Sequence, residues 1–109
     1  MSFDQVAYDV FLQIKNGDTP QIIEYLEKLG WDVNKTINGL RWTALHLAAY
    51  QGNYQLAEYL VCRGADIKAL NQSGYTPLML AEYKGFSNLK GLLSFEMSIS
   101  EKNIVGSSA

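Results

Sequence analysis

The chain has 109 residues, enough for one small domain, with 48% hydrophobic and 18% charged residues and a formal net charge of −2. That hydrophobic share excludes a disordered polymer over most of the length. With no basic excess to neutralise phosphates, no nucleic-acid partner is expected; no apolar run approaches the roughly 20 residues that cross a bilayer, so no membrane insertion is expected either.

The first residues, MSFDQVAYDVFLQIKNGD, lack a basic leader segment and carry Asp4 and Asp9, so they do not read as a signal peptide. Cys62 is the single cysteine and has no partner for an internal disulfide, which points to a reducing compartment. A cytoplasmic or otherwise intracellular protein is expected, and secretion into a host cell by a signal-independent route is compatible with the same residues. Val6, Val10, Phe11 and Ile14 have the spacing of one helix face. Gly17 follows as a turn, and Pro20 suits the first turn of a second helix. That helix ends at Gly30, placed for a left-handed cap.

The next stretch, NGLRWTALHLAAYQGNYQLAEYLVC (38–62), aligns without a gap on NQSGYTPLMLAEYKGFSNLKGLLSF (71–95). Asn38 meets Asn71, Thr43 meets Thr76, Leu45 meets Leu78, Leu47 meets Leu80 and Ala48 meets Ala81. Tyr50 meets Tyr83, Gly52 meets Gly85, Leu56 meets Leu89 and Leu60 meets Leu93. A constant period of 33 across these pairs is a repeat. A more divergent copy precedes it. Glu24, Tyr25 and Leu26 match Glu58, Tyr59 and Leu60, Gly30 matches Gly64, and Asp32 matches Asp66. Three helix–turn–helix units follow, over about 4–37, 38–70 and 71–95, forming one domain over 1–95. Gly17, Gly52 and Gly85 fall between the two helices of their units, where positive φ is expected. ADIKALNQSG (65–74) reads as an extended loop or hairpin. The polar tail 96–109 carries no repeat signal and is expected to be loosely ordered.

GYTPLMLAEYKG (74–85), WTALHLAAYQG (42–52), RGAD (63–66) and LGWD (29–32) resemble the ankyrin repeat over about positions 4–95. The resemblance implies an all-α helix–turn–helix solenoid with short β-hairpin or loop connections. It departs from the pattern in places. Arg41 stands where Gly74 opens the next unit, and the first linker is one residue longer near Thr36–Ile37, so an irregular hairpin is expected there. Ala44 replaces a proline and Met79 replaces the histidine. Gly91 weakens the last outer helix by about 0.5–1 kcal/mol relative to alanine.

Chemistry has few candidates. His46 and Cys62 are sixteen residues apart on different helices, so neither supplies the other with a catalytic partner. The resemblance gives His46 a hydrogen-bonding role near the turn and helix start. Cys62 is expected to pack as a small hydrophobe, and one histidine with one cysteine does not make a zinc site. Asp32 and Asp66 are repeat equivalents, each expected to bind backbone amides of its own turn. No phosphate loop, dinucleotide fingerprint or serine elbow is present. No catalytic residue, cofactor or metal is therefore expected. Glu24, Glu27, Lys28 and Glu58 read as a solvated outer face. Trp31 covers the core of the first unit or adds an exposed contact. By resemblance, Asn34 matches the asparagine that some ankyrin repeats offer to a hydroxylase.

In an ankyrin stack the positions outside the structural pattern are free to bind. Here they are Leu40, Trp42, Tyr50, Gln51 and Leu70 in the second unit and Gln72, Ser73, Tyr75, Tyr83 and Lys84 in the third, with Gly39 beside them. Trp42 with Tyr75 and Tyr50 with Tyr83 predict two aromatic rows on the concave side, suited to burial in an interface. The competing expectation is that these rings pack between units. On the first reading, Trp42→Ala weakens a partner and leaves the melting point nearly unchanged. The expected function is a non-catalytic, scaffold-type protein–protein interaction module, monomeric alone, whose partner is another protein. The alternative is a regulatory or host-directed effector that inhibits or relocates its target through the same surface.

Overall fold

The computed structural model describes the backbone of residues 4–108 and the side chains of residues 4–97. Six helices follow in order: α1 (Gln5–Asn16), α2 (Thr19–Leu29), α3 (Ala44–Gln51), α4 (Tyr54–Cys62), α5 (Pro77–Lys84) and α6 (Ser87–Ser108). The first five start at capping side chains. Asp4, Asp18, Thr43, Asn53 and Thr76 each accept a hydrogen bond from the backbone N–H three residues on. Each such cap contributes about 1 kcal/mol, which matters because helices of eight or nine residues do not hold alone in water.

Helices α1, α3 and α5 pack side by side in one layer, and α2, α4 and α6 in a second. The core lies between the layers, where Val10, Ile14, Ile22, Leu26, Leu45, Leu56, Leu60, Leu89 and Leu93 are buried. Burying each of these side chains contributes roughly 1.5–3 kcal/mol. The chain is thus the all-α repeat solenoid that the resemblance implies. It measures 44 × 29 × 28 Å.

Local differences have local causes. Val10 and Ile14 of the expected α1 face are buried and Phe11 packs against the core, while Val6 is exposed and Ala7 is buried in its place. Gly52 and Gly85 adopt φ 78, as expected between paired helices, but Gly17 has φ −88. Space fixes Gly17 instead, since a Cβ there would lie 2.8 Å from the Gln13 carbonyl oxygen. Helix α6 continues through Ser108, past residue 95 where the repeat signal stops. Glu96, Met97 and Glu101 are good helix formers, and no proline interrupts the segment.

The two hairpin tips follow one plan. Asn38 Oδ1 accepts from Leu40 and Trp42 N–H, and Asn71 Oδ1 accepts from Ser73 and Tyr75 N–H. Arg41 takes φ 64 where Gly74 takes φ 81. The expected irregularity is therefore absent from the first turn and falls just before it. There Ile37 N–H donates to the Trp42 carbonyl, and Thr36 pairs with Thr43 in an antiparallel bridge. The second tip uses Asn71 N–H to the Tyr75 carbonyl. The extra residue is accommodated by burying Ile37.

Candidate functional site: an aromatic groove

The tips deliver Trp42 and Tyr75 to the entrance of α3 and α5, and the last turns of those helices deliver Tyr50 and Tyr83. His46 fixes the spacing between the two units. Its Nδ1 accepts from Thr43 N–H at 3.0 Å, which leaves the proton on Nε2, and Nε2–H donates to the Tyr75 carbonyl at 2.8 Å. One buried imidazole thus ties the start of α3 to the backbone of the next tip. Burial holds the His46 pKa below its ordinary value, because the charged ring would lose its hydration. Gln72 N–H donates to the Leu40 carbonyl at 2.9 Å and joins the tips directly.

Between these elements runs a groove of about 790 Å³. Leu40, Trp42, Tyr50, Ser73, Tyr75 and Tyr83 line it, so six of the ten positions singled out from sequence meet in one place. Lys84 lies at its edge, with Nζ 4.6 Å from the centroid of the Tyr50 ring. Gln51, Leu70 and Gln72 are exposed but do not line it. Asn71, Met79, Leu80 and Glu82 also line it. Met79 and Glu82 carried a usable signal: they stand one period after His46 and Ala49, where the repeat pattern breaks.

The rings differ in freedom. Trp42 is half-buried and packs against the core. It meets Tyr50 edge-on, with centroids 5.4 Å apart and planes at 79°. Tyr50, Tyr75 and Tyr83 are 39%, 49% and 82% exposed. Packing between units and exposure in the groove therefore divide among the four rings. A consequence is that Trp42→Ala removes core contacts as well as groove surface, so Tyr75 and Tyr83 are the cleaner probes.

The remaining candidates are structural. Asp32 Oδ1 accepts from Asn34 N–H at 2.9 Å and Asp66 Oδ1 from Lys68 N–H at 3.0 Å. Asn34 itself joins the first two units, donating to the Gly64 carbonyl and accepting from Asp66 N–H. Cys62 is exposed rather than packed, because it ends α4 on the outer surface. Glu24 and Lys28 form an exposed pair, but Glu27 reaches the next unit, where it accepts from the Tyr59 hydroxyl and pairs with Arg63. Burial, then the hydrogen bond to Glu27, raises the Tyr59 pKa above its ordinary value. Trp31 packs half-buried against the core, with the Lys35 ammonium 5.3 Å from its ring centroid. Among the described residues no group of three or more His, Cys, Asp and Glu side chains could hold a metal, and no helix is long and apolar enough to cross a membrane.

Comparison with known proteins agrees with this geometry. The family described as ankyrin repeats, in three copies, matches residues 10–103. The chain is 42% identical over 105 residues to inversin from dog, covering 92% of this chain and 10% of that protein. It is 35% identical over 79 residues to potassium channel AKT1 from indica rice, covering 72% of this chain and 8% of the channel. It is 32% identical over 79 residues to the Notch-regulated ankyrin repeat-containing protein of Xenopus laevis, covering 70% of this chain and 68% of that one. The chain thus spans a small part of the channel and of inversin, and most of the frog protein.

Proposed function

The chain belongs to the ankyrin repeat family, and from that premise we propose that it binds a partner protein in the groove between its second and third units. Ankyrin repeats are in general non-catalytic modules of protein–protein interaction. The observation that carries the reading is the convergence of Trp42, Tyr50, Tyr75 and Tyr83 on one groove, with Tyr83 held 82% exposed beside apolar Leu40 and Met79. Large rigid rings left in water gain most by being covered, and they lose little side-chain entropy when they are. Ser73 supplies a polar group at the rim, where an interface stays wet. Control of a target's activity or location would follow from the identity of that partner and uses the same surface.

The test is affinity capture from the native source with wild type and a Tyr75→Ala/Tyr83→Ala variant. The variant should unfold within a few degrees of wild type, because Tyr83 is largely exposed and Tyr75 half exposed. Proteins retained by wild type and lost by the variant support the reading. Retention of the same proteins at the same yield contradicts it.

A further inference from the structure

Building on the groove as the binding surface, we propose that its guest is a basic peptide segment, whose lysine or arginine side chain enters the aromatic corner of Trp42 and Tyr50 in the groove that Glu82 also lines. Two ring planes at 79°, with centroids 5.4 Å apart, make two walls of a box. The electron-rich face of such a wall attracts a cation within about 6 Å of its centroid. The Tyr50 ring already does so, holding the Lys84 ammonium at 4.6 Å. Lys84 is thus an internal occupant of a place fit for a cation.

Charge supports the same guest. Glu82 is the one ionised side chain among the residues lining the groove. Its pairing with Lys90 is long, at 3.8 Å, and both side chains are about half exposed. An exposed pair of that geometry is weak and readily exchanged. The chain as a whole carries net charge −2, which favours approach of a basic segment. Tyr75 and Tyr83 on the third unit give the flanking residues of the guest further ring surface to cover. Entry of the guest displaces Lys84 from Tyr50, so Lys84 competes with the ligand rather than assisting it.

The experiment titrates capped alanine pentapeptides with a central lysine, arginine, norleucine or glutamate into the isotope-labelled full chain, following resonances of Trp42, Tyr50, Tyr75 and Tyr83. The lysine and arginine peptides should bind about threefold or more tighter than norleucine, and glutamate weakest. Lys84→Ala should tighten the cationic peptides severalfold. Tyr50→Leu, which keeps apolar volume, and Glu82→Gln should each weaken them severalfold, while Tyr50→Phe keeps binding. Norleucine binding as well as lysine at these same resonances would overturn the cationic guest and leave the groove standing. Tightest binding by glutamate, lost in Lys84→Ala, would overturn it in favour of an acidic partner. No shift at these resonances with any peptide up to about 10 mM would also overturn it; the groove itself is judged separately by the Tyr75/Tyr83 capture.

Discussion

Arg41 holds φ 64 at a tip where the next unit places Gly74 at φ 81. A left-handed conformation costs a residue with a Cβ about 1–2 kcal/mol, and glycine's extra freedom when unfolded returns part of that. Arg41→Gly should therefore stabilise the fold by about 0.5–1 kcal/mol, visible as a rise of several degrees in the melting temperature. No change, or a fall, would mean that the arginine side chain makes contacts worth more than the strain. His46 gives a second residue-scale prediction. Its folded pKa lies below the ordinary 6.5, so between those two values the unfolded chain binds the proton more. Stability is then full above about pH 6.5 and falls as pH drops toward the folded pKa, by up to about 1.4 kcal/mol per pH unit. His46→Gln keeps a donor toward the Tyr75 carbonyl and does not titrate. Urea midpoints of wild type and variant should converge as pH falls from 7 to 5, and parallel curves would contradict the lowered His46 pKa. The histidine's bond near the helix start was legible by resemblance. Its reach to the next tip was not, because that bond depends on how closely two units stack.

The helix pairs turn on glycines that look alike in sequence and differ in surroundings. Gly52 and Gly85 share φ 78, but a Cβ on Gly52 would meet the Phe86 ring at 2.8 Å, while one on Gly85 meets nothing within 4 Å. Gly85→Ala should cost about 1–2 kcal/mol from backbone strain. Gly52→Ala should cost about 1–3 kcal/mol more, because the core must also shift. Equal losses in chemical denaturation would contradict the packing of Phe86 against the α3–α4 turn. The helix order and the left-handed glycines at 52 and 85 were readable from the 33-residue register. The α1 face was readable at Val10, Phe11 and Ile14 but not at its first position, where Val6 and Ala7 fit the same stripe almost equally.

Across the whole molecule, stacking three units turns scattered positions into one groove. Asn71 shows how much that depends on the tips. It is buried and accepts from both Ser73 and Tyr75 N–H. Asn71→Ala leaves those donors unpaired and should cost about 1–3 kcal/mol; it should also loosen Tyr75 and weaken partner binding by more than that loss of folded protein explains. That Trp42, Tyr50, Tyr75 and Tyr83 line one groove follows the fixed period, which repeats both residue and direction. The Lys84–Tyr50 contact was not legible, since it depends on which side of α5 the last turn presents to its neighbour. On the proposed function the groove, and not the outer helix layer, receives the partner. Calorimetric binding of the captured partner to two exposed variants tests it most directly: Tyr75→Ala/Tyr83→Ala in the groove and Lys28→Ala/Glu58→Ala on the outer helices. Affinity should fall at least tenfold for the first, about 1.4 kcal/mol, and stay unchanged for the second. Loss confined to the outer-helix variant, with the groove variant binding as wild type, would contradict it.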